Sequence, residues 1–297
     1  MPEEFFRYRI VHETSYLYSG RIDLCHSLCC LCPRDTPFQS RISHVINVEP
    51  RPEVTGEHTD FFGNHLNNFS VQHSHENLLV RSTSEVRVST RPRPWESGFT
   101  DPAWEGVAAS IPNLRGDDTR AIGGFRLASA ATPWNAKIRE YSLQSFTTGN
   151  GILAGCRSLM ERVHRDFRYA PGSTAVHTRI EEVFAGRQGV CQDFAHLLLA
   201  GLRGLGLAAR YVSGYLETVP PPGKQRLQGA DASHAWVEVY VPGLEWVPFD
   251  PTNNVSPGPR HIVAAIGRDY FDVQPLRGIF LGSGSQSLGV RVDVARI

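Results

Sequence analysis

The sequence predicts an all-β, sandwich-like domain followed by a larger α+β domain, and three observations carry that reading. Short alternating segments broken by Pro and Gly fill the first third of the chain. A proline-paired stretch then ends the alternation. Beyond it, helical periodicities are followed by a run of strands rather than alternating with them. At 297 residues the chain is long enough for two domains that each bury a core.

In the first part, "FRYRIVHETSYLY", "RISHVINVEP", "NHLNNFSVQ" and "LLVRSTSEVRVST" alternate with period two and read as strands. In "RPRPWESG" (Arg91 to Gly98) paired X-Pro steps hold the backbone extended. The domain boundary is therefore expected there, with a β-rich domain over 1–92 and an α+β domain over 93–297. "ILAGCRSLMERVHRDF" (Ile152 to Phe167) has apolar residues at helical spacing, and "TRIEEVFAGRQG" adds a short helix ended by Gly186. Next, Val190, Phe194, Leu197, Leu198, Gly201, Leu202 and Leu205 recur at intervals of three and four, which predicts one buried face of a helix stopped by Gly204 and Gly206. "ARYVSGYL" and "HAWVEVYV" read as strands, the second turning at Pro242-Gly243 into "EWVPFDP".

Hydrophobic residues make up 41% and charged residues 20% of the chain, ordinary for a soluble globular protein, and 30 basic side chains cancel 30 acidic ones. That balance argues against nucleic acid or an anionic membrane as partner. The start lacks a secretory pattern, and no apolar run approaches the ~20 residues of a bilayer span. The expected location is the cytoplasm. Nothing in the sequence fixes the oligomeric state.

Of six cysteines, Cys25, Cys29, Cys30 and Cys32 crowd into "CHSLCCLC", while Cys156 and Cys191 stand apart. The cluster makes a poor disulfide framework. Thiolates also suit zinc, but in an extended strand Cys30 and Cys32 point to one face and Cys29 to the other, so the expected role is packing and no metal site is assigned.

Cys191 lies where a glycine-containing turn gives way to the long helical pattern. A sulfur at a helix start sits near unpaired N–H groups and the positive end of the helix dipole, which favours the thiolate. A thiol nucleophile also needs a base and a group to orient that base. Among twelve histidines, His234 opens an apolar strand whose hairpin partner ends in Asp250. With a two-residue loop at Pro242-Gly243, Asp250 would face away from His234. An odd loop, Pro242 to Leu244, or one bulge pairs Asp250 with Trp236 and sets it diagonal to His234. The reading therefore predicts the odd loop or the bulge, and Pro248 predicts an edge strand. Gln192 and Asp193 read as solvated first-turn residues, Trp246 as a packing residue, and Gly214 and Tyr215 as close-packing residues.

"GVCQDFAHLLLAGLRGLGLAARYVSGY", "SHAWVEVYV" and "EWVPFDPTN" together resemble the core of the transglutaminase-like superfamily, in its bacterial cysteine-protease-like branch. The resemblance extends upstream to "FRYAPGST" and downstream to "GRDYFDVQPLRG". "YLYSG", "LCPRDTPFQ" and "DFFGN" look like the β-rich N-terminal domain of that branch, from which the cysteine cluster departs. The resemblance implies a papain-like core, with Cys191 as nucleophile, His234 as general base and acid, and Asp250 orienting the imidazole. It implies attack on an amide of a peptide, protein or glutamine-type substrate through a thioester, with no metal or organic cofactor and with hydrolysis favoured over amine transfer. Animal transglutaminases carry Trp directly after the nucleophile where this chain has Gln192, so calcium control and crosslinking do not carry over. The Cys191 N–H is one expected oxyanion donor and the Tyr169 hydroxyl the candidate second. Gln192 and Trp236 are further cleft candidates. The loop "ETVPPPGKQRLQGADAS" (Glu217 to Ser233) is expected to cover the cleft. The alternative function is a non-catalytic binding module that keeps the papain-like shell.

Overall fold

The computed structural model describes residues 5–96, 98–115, 119–218 and 233–297, with 119–121 described by backbone alone. In chain order the elements are β1 (Phe5–Cys29), β2 (Gln39–Glu49), β3 (Val54–Thr59), β4 (His65–Val71), β5 (His75–Ser89), α1 (Trp104–Ser110), α2 (Thr119–Gly124), α3 (Ala136–Leu143) and α4 (Ile152–Asp166). These are followed by β6 (Arg168–Tyr169), α5 (Ile180–Gly186), β7 (Gln188–Gly189), α6 (Cys191–Gly204), β8 (Ala209–Leu216), β9 (Ser233–Val241), β10 (Glu245–Phe249), β11 (His261–Gly267), β12 (Leu276–Gly282) and β13 (Gln286–Arg296). The expected class, α+β with a mostly β N-terminal part, is the observed one. Most of the loop expected to cover the cleft, residues 219–232, lies outside the described residues.

β1 organises the first half. Over Phe5–Leu17 it pairs with β5 and over Tyr8–Tyr18 with β13, whereas Cys25–Cys29 pairs with β4 and Leu24–Cys29 with β12. The ladder to β5 breaks between Leu17 and Ile22, where β1 passes from one set of partners to the other. Side chains from both sets meet in one core: Phe69 and Val71 of β4 and Leu78 and Val80 of β5, around Tyr18, Ile22, Cys25 and Cys29. Residues 276–296, grouped by sequence with the second domain, thus return to the first sheet. A 25-residue strand offers backbone donors and acceptors on both edges along its whole length, and β12 and β13 satisfy those that β4 and β5 leave open.

The cysteines of the cluster are buried packing atoms with free thiols. Cys25 and Cys29 face the β core, while Cys30 faces the core of the second half. Burial pushes the Cys29 and Cys30 thiols up to about 12, so they stay protonated.

The second half centres on α6, against which α3, α4, α5, β8 and β9 pack. This helix differs from the amphipathic one expected, because Asp193 through Arg203 are all buried. Its polar side is covered and satisfied rather than solvated. His196 Nε2 accepts from the Tyr270 N–H at 3.2 Å, and Arg203 donates to the carbonyls of Phe125, Ala209 and Arg268. The sheet order is β10-β9-β8-β11, all antiparallel. β10 is an edge strand, as Pro248 predicts.

Besides the contact that Cys30 and Leu66 make with the core of the second half, an apolar layer joins the two halves: Tyr8, Ile10, Val86, Val88, Val292 and Val294 pack on Tyr215, Ile262 and Ala264. The outer edge of β11 would otherwise present unpaired backbone groups. Two side-chain amides from the β half close it. Gln39 donates to the Val263 carbonyl at 2.8 Å and accepts from its N–H at 2.9 Å, and Asn64 does the same at Ile266 at 2.7 and 2.9 Å.

Candidate active site

The nucleophile candidate sits where its local sequence places it. β7 pairs in parallel with β6, Val190 stays extended as the N-cap, and α6 begins at Cys191. Asp193, expected to be solvated, is buried and anchors the turn. Its Oδ2 accepts from the Val190 N–H at 2.8 Å and from Thr174 Oγ1 at 2.7 Å. Burial pushes its carboxyl up against the pull of those two bonds. The carboxylate ties the strand-to-helix corner to the loop in front of it and holds the half-exposed Cys191 at the first helical position.

The base candidate arrives by hairpin register. β9 and β10 are joined by the three residues Pro242–Leu244, with Glu245 opposite Val241 and Phe249 opposite Val237. Positive φ angles of 84° at Gly243 and 61° at Glu245 allow this odd turn. The odd loop predicted from the sequence is therefore present, and it turns Asp250 toward His234. His234 Nε2 lies 2.8 Å from Asp250 Oδ2. An ionised carboxylate can only accept, so Nε2 carries the proton and Nδ1 is the nitrogen left for the thiol. Cys191 is near enough to the same ring to favour its protonated form. Burial works against the imidazolium, but the hydrogen bond and charge of Asp250, helped by Cys191, outweigh it and hold the ring up at about 10. Asp250 is buried yet held well below the usual carboxylate range by its donors.

Cys191, His234 and Asp250 thus form one connected line, with the ring in the middle. The other cleft candidates fare differently. Tyr169 is 52% exposed and makes an edge contact with Phe194. Its burial and the neighbouring sulfur both raise its pKa, which leaves its hydroxyl a donor beside Cys191. Gln192 is turned away into the loop in front, where its Nε2 donates to the Val176 carbonyl at 3.2 Å. Trp236 is 1% exposed and lies beneath the site, tilted against His234 and edge-on to His261, so it is a floor and not a cleft wall.

Two participants were missed from the sequence. Asn253 Nδ2 donates to Asp250 Oδ2 at 2.7 Å, while its 3.3 Å approach to His234 Nε2 is donor against donor and binds nothing. The signal for it was present in "DPTNN", an Asx-type turn in which Asp250 Oδ1 accepts from the N–H groups of Thr252 and Asn253. His261 Nε2 lies 3.1 Å from the same Asp250 oxygen, and no local pattern announced it. The ligand-type atoms of His234, Asp250 and His261 lie within 4.8 Å of one another, as in a metal site. Here both rings already spend those nitrogens as hydrogen-bond donors to the carboxylate, so the group reads as part of the hydrogen-bonded relay from Asp250 to Cys191 rather than as a ligand set.

Comparison with known proteins bears on this geometry. Residues 8–87 match the bacterial transglutaminase-like N-terminal region, and residues 144–251 match the transglutaminase-like superfamily core. An uncharacterized protein of Mycobacterium tuberculosis, Rv2569c, is 39% identical over 97% of this chain and 92% of its own length. The chain belongs to the bacterial transglutaminase-like family. A crystal structure from Cytophaga hutchinsonii described as a "putative cysteine protease" shares the fold, with a TM-score of 0.79 and 20% identity over 99% of this chain and 91% of that one. A protein-glutamine gamma-glutamyltransferase of Pseudomonas aeruginosa is 34% identical over a third of this chain (34%) and 16% of its own length. Among the described residues, no helix of this family member is long and apolar enough to cross a membrane.

Proposed function

We propose that the protein is a thiol-dependent acyl enzyme acting on carboxamide bonds of a peptide, protein or glutamine-type substrate. The observation that carries this is the uninterrupted line from Asp250 through His234 to Cys191. Sγ attacks the carbonyl carbon as a thiolate, the C–N bond breaks, and the imidazolium of His234 delivers its Nδ1 proton to the departing amine. The acyl group is then a thioester on Cys191. A water attacks that carbonyl, gives a proton to Nδ1, and releases the carboxylic acid, with the thiolate and the imidazolium both restored. The Cys191 N–H at the start of α6 faces the charge that develops on the carbonyl oxygen, and the Tyr169 hydroxyl is the second donor.

Membership of the transglutaminase-like superfamily supports thiol chemistry at amides in general. Hydrolysis is favoured over amine transfer because water is always at hand and no residue marks an amine site. The cytoplasm remains the proposed location.

Amide, ester and glutamine-donor substrates offered to the parent and to Cys191→Ala test the reading. The parent is expected to turn over at least one class through an acyl-enzyme visible by mass spectrometry, with a loss of at least about 10³-fold in the variant. Equal turnover in the two proteins, or no acylation of the parent by any class, counts against it.

A further inference from the structure

His261 has no part in the mechanism above, yet it shares the orienting carboxylate. Three side-chain donors converge on Asp250 Oδ2: His234 Nε2 at 2.8 Å, Asn253 Nδ2 at 2.7 Å and His261 Nε2 at 3.1 Å. We propose that His261 is a positioning residue of the relay: donating to the same oxygen that His234 uses, it pins the carboxylate and takes a share of its charge, and so sets how firmly His234 holds its proton.

The geometry leaves His261 little else to do. Its side chain is 8% exposed, and Nδ1 is buried with no hydrogen-bond partner among the described residues. A buried imidazole kept for packing alone would bring a polar atom into the core at a cost that an apolar ring avoids. Because an ionised carboxylate only accepts, Nε2 must carry the proton, which leaves Nδ1 a bare lone pair. The ring borders a cavity of about 30 Å³ shared with Gln39, Arg91, Trp236 and Glu238, enough for one water to meet that lone pair.

The charges around it favour the neutral form. Burial lowers the pKa of His261 first and the neighbouring His234 and Arg260 lower it further, against the pull of Asp250. Across the cavity, Glu238 is neutralised by Arg91 and Arg210 and offers no free anion. One imidazole can therefore be cationic and the other a neutral donor, both on one oxygen. A neutral donor drains charge from Asp250, so removing it leaves the carboxylate freer to stabilise the His234 cation. Trp236, edge-on to His261 and tilted against His234, keeps both rings in register.

This inference rests on the proposed thiol–imidazole chemistry, and the experiment separates the two. Alkylation of Cys191 by iodoacetamide, followed by peptide mass spectrometry from pH 4 to 11, needs no substrate. The variants are His261→Met and His261→Phe, which lose the donor, His261→Gln, which keeps one, and His234→Asn as the control. The parent is expected to label in two steps, the upper one marking loss of the His234 proton. Both donorless variants should move that upper midpoint up by about half a pH unit or more, with Gln near the parent. An unmoved midpoint in a folded donorless variant overturns the role of His261 alone. If the parent and His234→Asn label alike at every pH, the thiol reading fails and this one with it. Ring ¹⁵N NMR of the parent keeps the test open should both donorless variants misfold. His261 must then remain a neutral Nε2–H tautomer while His234 titrates, and a second cationic ring in that range overturns the proposal.

Discussion

At the scale of the residue, Asp250 has the most to satisfy. Its side chain is fully buried, and its two oxygens take side-chain donors from His234, His261 and Asn253 and backbone donors from Thr252 and Asn253. Those donors hold the carboxyl well below the usual carboxylate range, so it is charged at neutral pH. Asp250→Asn removes the charge, and with it the main reason that His234 remains protonated up to about 10. The amide would also have to turn an NH₂ group toward at least one donor. Acylation is expected to fall by about 10³-fold, with the upper limb of the pH–rate profile shifted down. Stability follows the same linkage. A histidine whose folded pKa is raised contributes stability that is complete below its unfolded value of about 6.5 and is lost as pH rises through its folded value. The parent should therefore lose urea resistance between about pH 6.5 and about 10, and Asp250→Asn should lose less over that window. Parallel urea midpoints for the two proteins across it would contradict the shift.

At the scale of the element, the site depends on how closely β8, β9 and β11 approach one another. Gly214 pairs with His234 on one side and with Val263 on the other. A Cβ there would meet the Ile262 carbonyl oxygen at 2.1 Å and the Trp236 ring at 2.6 Å. Neither can yield, because one is ladder backbone and the other is the fully buried floor beneath both imidazoles. Gly214→Ala is expected to lower stability by about 1–3 kcal/mol and to weaken Cys191 alkylation at neutral pH, since the strand carrying His234 must shift. A thermal melt and the labelling rate check the two effects, and an unchanged rate in a destabilised variant would detach the strand spacing from the relay. The same strands mark what the sequence discloses. Hairpin register is arithmetic along the chain, so the need for an odd loop or a bulge if Asp250 is to meet His234 was legible in the sequence, whereas the choice of the three-residue loop was not. The first turn of α6 was legible as a pattern, although Asp193 was misread, because periodicity cannot tell an anchor sealed by Thr174 from a solvated carboxylate. His261 reaches the carboxylate from β11, which is three strands away from β10 in the sheet, and no spacing along the chain encodes a meeting made across a sheet end.

At the scale of the whole molecule, the two halves are less separable than the proline-rich boundary suggests. β12 and β13 begin beyond the last catalytic strand yet complete the sheet begun by β1. Their destination was illegible because a strand pattern states that a partner is needed and not which one, and the partner here lies at the opposite end of the chain. Val292 and Val294 are at most 1% exposed and belong to the layer that packs on Tyr215 and Ile262, directly behind the strands holding His234 and His261. Ending the chain after Pro275 would strip this layer, open one edge of β1 over most of its length, and leave Leu276 out of the β core. The two valines alone are worth about 3–6 kcal/mol of burial, comparable with the whole stability of many domains. The truncated chain is expected to collect in the insoluble fraction or to lose its cooperative melt, although every residue of the relay is still present. A soluble truncated protein that melts cooperatively and alkylates Cys191 at the parent's rate would mean that the catalytic half stands without the sheet behind it. In that case the Gln39 and Asn64 contacts along the edge of β11 would be incidental to the site.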